Sequence, residues 1–372
     1  MIDRLILHVD IDMMFASAAK LEWPETAGQA DLLIVGGKPD ERGVVTSASY
    51  SVRAFGVRAG MPTSQALRLC PKALLVPVPG DMVRRKSREV FEVVRDHTPL
   101  VEQTGVDEGY ADLTSVAGDA DIQDIDVFTR VLRHAVFMET GMTVSCACAS
   151  NKLVAKCSVE FGKPGNGGDG VVVIGPGEEE ACMLRVGALS NIPGIGPSFQ
   201  KDLERIGFHS VKQILPHSRE ALASMFGERR GGWLWRVVRG IDQRPVELPG
   251  PPKSISREDT FLQDIFDDEP LARELDRLLD RAIEDLSRKA VMAQTVTVRV
   301  KDSDFRARSR SRTMPFPTAD KAVAAPVAAA LLEELRRDRR VAARLVGISF
   351  EKLSPASGAR ADQIGLFEGE AG

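Results

Sequence analysis

The sequence predicts an α+β fold divided into several domains, on three observations. At 372 residues the chain is longer than a single hydrophobic core usually serves, which indicates two to four domains. Strand-like and helix-like segments alternate in the first half, where acidic residues lie on strands that we expect to be antiparallel. The proline-rich segment 245–252 predicts a stiff linker, and a second α+β region follows it.

Each element follows from its residue pattern. The apolar run 5–9 predicts a buried strand that delivers Asp10 at its carboxyl end. Before residue 178 we predict helices over 14–21, 64–70, 82–97, 125–140 and 152–160 and strands over 32–35, 43–48 and 143–149, and the segment 101–103 leads into the acidic hairpin. Residues 178–240 have the pattern of short helices. After the linker we predict a strand, a helix over 270–289, a strand over 295–301, an arginine-rich strand, a helix over 321–337 and a strand over 344–351, before a polar tail.

Composition excludes several classes of protein. No stretch approaches the roughly 20 apolar residues of a membrane span, and the amino terminus lacks the pattern of a secretory signal, so we expect a cytoplasmic protein without membrane contact. The five cysteines form no Cys-x-x-Cys pair, which favours reduced core thiols over zinc ligands. The net charge is −4, but residues 296–353 hold thirteen Lys and Arg against seven Asp and Glu, so this part carries +6 and the rest −10. Such polarisation indicates a phosphate-facing surface near the carboxyl terminus.

The dipeptide Asp107-Glu108, together with Asp10, has the composition of a metal-binding carboxylate cluster. Adjacent side chains on a regular strand point in opposite directions, so the pair can share one site only if a turn interrupts the strand. The flanking Gly105 and Gly109 favour such a turn. Crowded carboxylates repel one another unless a divalent cation offsets their charge, and oxygen ligands suit magnesium or manganese. A solvated acidic hairpin is the alternative that these residues alone leave open.

Six motifs, in order along the chain, resemble those of the Y-family DNA polymerases, in particular the bacterial DinB (DNA polymerase IV) branch. They are 8–16 (HVDIDMMFA), 49–58 (SYSVRAFGVR), 105–113 (GVDEGYADL), 151–156 (NKLVAK), 163–164 (KP) and 192–196 (IPGIG). The resemblance implies a right-hand polymerase with a palm (1–17 and 78–170), small fingers (18–77), a helical thumb with a helix-hairpin-helix (171–240), a linker (241–253), an α+β little finger (254–354) and a flexible tail (355–372).

The resemblance also implies an activity and its cofactors. It implies a template-directed DNA polymerase of the translesion type, with low processivity, no proofreading domain and two Mg²⁺ ions in the active site, Mn²⁺ being possible. Asp10 and Asp107 would bridge both ions, Glu108 would hold the primer-side ion, and the Ile11 carbonyl would complete the nucleotide-side ion. Two other readings remain at this point: a noncatalytic polymerase-like scaffold of a mutagenesis complex, and a helix-hairpin-helix DNA repair protein.

Nucleotide contacts follow from the same motifs. Tyr50, Arg53 and Lys163 match the positions that bind the triphosphate of the deoxynucleotide, and Ser47 stands where relatives often have Thr. Phe15 matches the aromatic residue that excludes a 2′-hydroxyl. For each of these the alternative is an ordinary surface charge or a core side chain.

Primer-template DNA is the expected partner of two further segments. Gly194 and Gly196 belong to the helix-hairpin-helix, whose turn and following helix amino terminus suit a phosphate; a plain helical hairpin is the alternative. Four arginines without intervening acids recur at every second position, share one face of a strand and would repel one another without a polyanion: Arg306, Arg308, Arg310 and Arg312. A charged, solvated edge strand is the alternative.

The tail contains Gln363, Leu366 and Phe367 in a segment that resembles the clamp-binding peptide of bacterial polymerases. We therefore expect a sliding clamp as a partner, and otherwise a monomer. The chain departs from its relatives at Gly105 and Gly109 and at Met13-Met14, which affects the palm hairpin and the floor of the nucleotide pocket.

Overall fold

The computed structural model describes residues 4–117 and 122–356, and the chain divides into two compact units after Pro249. No helix within these residues combines the length and apolar character needed to cross a membrane. The predicted clamp-binding segment 363–367 lies outside the described residues.

The first unit contains eight strands and twelve α-helices among its described residues. In chain order they are β1 (Ile6–Ile11), α1 (Met14–Glu22), β2 (Leu33–Gly36), β3 (Val45–Ala48), α2 (Tyr50–Arg53), α3 (Thr63–Leu69), β4 (Leu74–Val76), α4 (Gly80–His97), β5 (Val101–Gln103), β6 (Glu108–Asp112), α5 (Thr114–Ala117), α6 (Ile122–Thr140), β7 (Val144–Ala149), α7 (Lys152–Gly162), β8 (Val171–Val173), α8 (Glu179–Leu184), α9 (Pro197–Arg205), α10 (Val211–Ile214), α11 (Arg219–Phe226) and α12 (Glu228–Val237).

A five-stranded sheet of order β5-β6-β1-β7-β8 forms the centre of this unit. The buried strand predicted at residues 5–9 is β1, and it lies between two antiparallel partners, β6 and β7. Side chains alternate along it: Leu7, Val9 and Ile11 pack with residues of α4 and α6, whereas His8 and Asp10 point to the opposite face. α7 covers that opposite face, which we call the α7 face.

Two smaller assemblies complete the unit. Strands β3, β2 and β4 form a three-stranded sheet with its own core around Ile34 and Val52. Helices α8 to α12 pack around a third core, with Leu203 and Leu234 fully buried. Strands β4 and β8 have three residues each, and the sequence pattern does not predict them because a run this short has no measurable period.

The chain after α12 returns to the five-stranded sheet. The Lys152 ammonium donates to the Glu102 carboxylate at 2.5 Å and to the Pro245 carbonyl at 3.2 Å, and the Glu247 amide donates to the same carboxylate at 2.9 Å. Between them Val246 is buried beside the sheet. The predicted linker 241–253 is therefore fixed to the sheet as far as residue 247, because its backbone is hydrogen-bonded to two buried or half-buried side chains.

All five cysteines are buried and unpaired, as predicted. Cys146 and Cys148 lie on β7, Cys157 on α7 and Cys182 on α8, and Cys70 follows α3. Burial raises the pKa of the Cys148 and Cys157 thiols to about 12 and that of Cys182 to about 11.

The second unit is a four-stranded sheet with two helices on one face. Its elements are β9 (Ser254–Ile265), α13 (Asp268–Arg288), β10 (Val291–Asp302), β11 (Ala307–Thr318), α14 (Lys321–Asp338) and β12 (Ala343–Pro355). The strand order is β11-β10-β12-β9, so β11 is an edge strand. Val296, Val298 and Val300 of β10 pack with α13 and α14, and the predicted helices and strands of this region are all present.

Candidate active site

Asp10 and Glu108 face each other across neighbouring strands. β1 and β6 run antiparallel, and their register pairs Asp10 with Glu108. Both side chains lie on the α7 face, where the Asp10 side chain is 19% exposed and that of Glu108 is 30% exposed. Asp107 immediately precedes β6, and its carbonyl accepts a 2.7 Å hydrogen bond from the Ile11 amide. The three predicted acids are thus held at one end of β1.

A turn separates Asp107 from the strand, as a shared site requires. Residues 105–107 form a bend, and β6 begins at Glu108. The amides of Thr104 and Gly105 both donate to the Glu108 carbonyl at 3.1 Å, which closes the turn. The interrupted strand confirms the geometric condition placed on the dipeptide.

The two flanking glycines act through their small size. Neither belongs to the glycines with positive φ among the described residues. A Cβ on Gly109 would lie 2.6 Å from the Phe91 ring and 2.9 Å from the Glu102 carbonyl, so the hairpin packs closely at this position. A Cβ on Gly105 would lie only 3.2 Å from Oδ1 of Asp107. The missing side chain therefore leaves space beside the carboxylate.

Glu108 has two cationic or polar neighbours on the α7 face. Its Oε2 bonds with the Lys156 ammonium and lies 3.7 Å from Nε2 of His8. The His8 ring and then the Lys156 charge lower the pKa of Glu108 to about 2, against the opposing effect of burial. The carboxylate is therefore ionised throughout the neutral range.

Asp10 has the opposite electrostatic character. Burial raises its pKa to about 6, and the Asp107 charge adds to this rise, although the Lys163 ammonium 3.1 Å away opposes it. Lys163 also bonds Glu160 at 2.6 Å. Although burial acts to lower it, these two carboxylates raise the pKa of Lys163, so the lysine is charged. The positive charge of Lys163 therefore does not fully offset the cost of burying the ionised Asp10 carboxylate.

The three carboxylates are oxygen donors of the kind that bind a divalent cation. Asp10, Asp107 and Glu108 supply oxygen atoms at one end of β1, and the desolvated Asp10 charge would be stabilised by a cation. Within residues 4–117 and 122–356, however, no three Asp, Glu, His or Cys side chains converge closely enough to hold a metal ion. Two of the carboxylates are instead paired with lysines, Glu108 with Lys156 and Asp10 with Lys163.

The predicted triphosphate residues lie next to these acids. Lys163 pairs with Asp10, and a Cβ on Gly165, two residues later, would lie 2.3 Å from the Tyr50 ring. Tyr50 begins α2, the Arg53 guanidinium lies 5.1 Å from its ring centroid, and burial raises the Tyr50 pKa. Lys163 therefore lies near Tyr50 and Arg53, although more than 100 residues separate it from them in the sequence.

Phe15 and Ser47 lie on the same side of the unit. Phe15 is half-buried on α1, where it packs against both the sheet core and the cluster beneath β2. Ser47 is buried on β3. Met13, before α1, has a left-handed φ of 48°, a strained state for a side chain of this kind. Asp12 has a structural role because its buried Oδ1 accepts a 2.8 Å hydrogen bond from Ser145.

Comparison with known proteins identifies the family. Residues 9–160 match the model of the impB/mucB/samB family, and residues 252–366 match the C-terminal domain of that family. A DNA polymerase IV of Desulfatibacillum aliphaticivorans is 34% identical over 371 residues, 99% of this chain and 89% of that protein. One of Halorhodospira halophila is 33% identical over 355 residues, 95% of this chain and 96% of that protein. The chain belongs to the Y-family DNA polymerases.

Solved structures agree on the fold of this Y-family polymerase. A Y-family DNA polymerase chimera of Dbh and Dpo4 superposes with a TM-score of 0.82 at 24% identity, covering 94% of this chain and 98% of that one. An insertion ternary complex of Dbh DNA polymerase gives 0.63 at 24% identity, covering 93% and 98%. The right-hand α+β fold is confirmed, and the protein is a DNA-directed DNA polymerase of the translesion type. Nothing in the comparisons supports a noncatalytic scaffold.

The helix-hairpin-helix of the polymerase lies in residues 190–242, which match a DNA polymerase-iota thumb domain. Gly194 has a left-handed φ of 98°, and a Cβ there would lie 2.7 Å from the Trp233 ring. Gly196 caps α9, and no atom lies within 4 Å of the position of its Cβ. One glycine thus makes the turn, and the other leaves backbone open beside a helix amino terminus.

The arginine-rich strand differs from its prediction in two respects. Arg308, Arg310 and Arg312 share a face of β11, but Arg306 precedes the strand. No acid lies between the arginines in the sequence, yet helix α14 places acidic side chains beside them in the fold. Arg310 pairs with Asp338 and Arg312 with Glu334, each at 2.6 Å, while Arg308 is buried against Asp302 at 2.9 Å. These acids offset the repulsion between the arginines, so a bound polyanion is not needed to explain it. Arg310 and Arg312 nevertheless remain half-exposed.

Three site residues were not predicted as such. Lys152 and Lys156 occur four residues apart on α7 and reach Glu102 and Glu108, and His8 lies behind Glu108. An i, i+4 pair of lysines at the start of a helix rich in apolar residues was the available indication. The pattern shows that two lysines share a face, but it does not show which acids they meet.

Proposed function

We propose that this polymerase extends a primer 3′ end by nucleotidyl transfer in a site built on Asp10, Asp107 and Glu108. The three carboxylates and the Ile11 carbonyl would hold two Mg²⁺ ions, with Mn²⁺ as a substitute, in keeping with the use of divalent metal ions by Y-family polymerases. Such ions, when bound, supply positive charge to the reacting phosphate. The observation that supports this proposal best is the register that sets Asp10 opposite Glu108, with Asp107 bonded through its carbonyl to the Ile11 amide at the same end of β1.

The protein side chains then bind and orient the substrate. Arg53 offers a planar set of donors and Lys163 a point charge, which together suit triphosphate oxygens. The Tyr50 ring packs against the Arg53 guanidinium and holds it in place. Ser47 lies nearby in sequence, on β3. Phe15 would lie under the sugar and exclude a 2′-hydroxyl. For Lys163 to bind phosphate it must leave Asp10, which would free that carboxylate for a cation.

DNA contacts are proposed at two places. Gly194 and Gly196 would meet the backbone of the primer-template duplex without reading its sequence. Arg310 and Arg312 would exchange or share their acidic partners on α14 with DNA phosphates, and Arg306 lies exposed at the start of the same segment.

Domain limits and partners complete the proposal. We assign the palm to 1–17 and 78–170, the fingers to 18–77, the thumb to 171–240, the linker to 241–253, the little finger to 254–354 and the tail to 355–372. Deoxynucleoside triphosphates and primer-template DNA are the substrates, and the protein acts as a monomer in the cytoplasm. Gln363, Leu366 and Phe367 would bind a sliding clamp.

Primer extension with Mg²⁺ on a primed template tests the proposal. The parent protein should extend the primer, while Asp107→Ala and Glu108→Ala should reduce the rate by at least about 100-fold, because charge stabilisation of the transition state is lost. Primer-template affinity should stay within a few-fold, since phosphate contacts lie elsewhere.

Asp112→Ala is the matched control. Asp112 lies on the same strand, but its carboxylate accepts a hydrogen bond from the Thr114 amide at 2.9 Å, so its loss should leave extension near the parental rate. Normal extension by both Asp107→Ala and Glu108→Ala would refute the assignment of the metal site.

A further inference from the structure

His8 occupies an unusual position for a polar side chain. It lies in the middle of β1, two residues before Asp10, and is completely buried. The register sets it between Tyr110 on β6 and Ala147 on β7. Buried polar atoms are almost always hydrogen-bonded in folded proteins, because an unpaired buried donor or acceptor loses its water without gaining a partner.

Neither ring nitrogen of His8 has a hydrogen-bond partner among residues 4–117 and 122–356. Its Nε2 points towards Oε2 of Glu108 at 3.7 Å, which is about half an ångström beyond hydrogen-bond distance. The Tyr110 ring packs against the imidazole with centroids 4.9 Å apart and holds the ring in this orientation. The unpaired nitrogen is thus directed at a single carboxylate.

A purely structural role does not account for this side chain. An apolar ring would fill the same volume between β6 and β7 without leaving two nitrogen atoms unpaired. Among the described residues, Glu108 otherwise has an ion pair with Lys156, whose side chain is 29% exposed. Lys156 is free to move towards solvent or a phosphate, whereas His8 is fixed by the packing of the sheet.

We propose that His8 is a positioning residue that holds the Glu108 carboxylate in the orientation needed to bind a divalent cation. A movement of about half an ångström brings Oε2 within hydrogen-bond distance of the Nε2–H group. The residues behind a metal ligand fix its orientation, and their loss commonly weakens metal binding by about 10- to 100-fold. This inference rests on the proposed function, because it takes Glu108 as a metal ligand.

His8→Phe tests the inference by keeping a ring of similar size and removing both nitrogens. Binding of Mn²⁺ to the complex of the protein with primer-template DNA and a non-hydrolysable nucleotide is measured by electron paramagnetic resonance. We expect binding to weaken about 10-fold or more, while the melting temperature of the metal-free protein stays equal or rises. His8→Gln, which keeps a donor, should recover most of the affinity. If Phe is not accommodated, His8→Leu replaces it with the same expectation.

Thr63→Val is the matched control. Thr63 is buried on α3, and its hydroxyl also lacks a hydrogen-bond partner among the described residues, so its loss should not lower the melting temperature. Thr63 lies beside the three-stranded sheet, whereas Glu108 lies on the five-stranded sheet. Mn²⁺ binding should therefore be unchanged.

Glu108→Gln in the same experiment separates the proposed role of Glu108 as a metal ligand from the proposed role of His8 as its positioning residue. If Glu108→Gln binds Mn²⁺ as well as the parent, the proposed role of Glu108 is wrong. If Glu108→Gln weakens binding but folded His8→Phe does not, the inference about His8 alone is overturned. Loss of both stability and binding in His8→Phe, with equal recovery of both in His8→Gln, would make His8 a core residue and would also overturn it.

Discussion

Two neutralising substitutions in the active site should change the stability of the metal-free protein in opposite directions. Burial raises the pKa of Asp10 from 3.8 to about 6, so the native state holds its proton more tightly than the unfolded chain does. Ionising Asp10 therefore costs stability as the pH rises from 3.8 to 6. Glu108 has its pKa lowered from 4.5 to about 2, and its stabilising charge is lost only as the pH falls through that lower range.

The magnitude follows from 1.36 kcal/mol per pH unit. A rise of two units makes the ionised Asp10 side chain cost about 3 kcal/mol at pH 7.5, and under about 1 kcal/mol at pH 4. Asp10→Asn should remove this cost and stabilise the protein at pH 7.5. Glu108→Gln should destabilise it, because the ion pair of Glu108 with Lys156 depends on the carboxylate charge.

Urea unfolding in the presence of a chelator measures both effects. The three tryptophans, Trp23, Trp233 and Trp235, all belong to the first unit, so their fluorescence follows the unit that contains the site. The difference between Asp10→Asn and the parent should be large at pH 7.5 and nearly absent at pH 4. If Asp10→Asn is no more stable than the parent at pH 7.5, or if the gain is equal at both pH values, then Asp10 is not a desolvated carboxylate.

Three further outcomes are expected. Phe15→Ala should increase insertion of ribonucleotides relative to deoxyribonucleotides in single-nucleotide kinetics, because removing the ring opens space for a 2′-hydroxyl; unchanged sugar selectivity would make Phe15 a core residue. Arg310→Ala with Arg312→Ala should weaken DNA binding on all sequences and lower the logarithmic salt slope by about 0.9 for each lost phosphate contact, measured by fluorescence anisotropy. Leu366→Ala with Phe367→Ala should leave single-nucleotide insertion intact and remove the longer products formed with a loaded sliding clamp; full clamp stimulation of this variant would assign the contact to another surface.

Two of these tests have matched controls in the chain. Phe15→Tyr keeps the aromatic ring and should keep sugar selectivity near the parental value. Arg308 is 13% exposed and pairs with Asp302, so Arg308→Ala should lower stability while leaving the salt slope unchanged. An unchanged slope in the Arg310 and Arg312 variant would mean that this face does not meet DNA.

Local pattern was sufficient for most of the longer elements and for part of the site. The apolar run before Asp10 and the turn at residues 105–107 follow from residue types alone, and both are present. Motif resemblance assigned Lys163, but only the folded chain shows that it pairs with Asp10, because ion pairs between distant segments leave no periodic trace. The same limit explains the arginines of β11, whose acidic partners lie 22 and 28 residues away on α14.

The glycines show a second limit of pattern reading. Gly109 was interpreted as a turn residue, whereas its lack of a side chain admits the Phe91 ring. Sequence shows where the backbone can be unusual, but close packing against a residue from another helix depends on tertiary structure.

The buried thiols make the protein its own probe of local opening. Alkylating reagents attack the thiolate, and at pH 8 a thiol with a pKa near 12 is ionised in only about one molecule in 10,000. Labelling therefore requires the surrounding structure to open first. Cys148 would report on the strand beside Asp10, Cys182 on α8 and Cys70 on the region after α3. Comparing their labelling rates with and without DNA would rank the opening free energies of these regions without any introduced label.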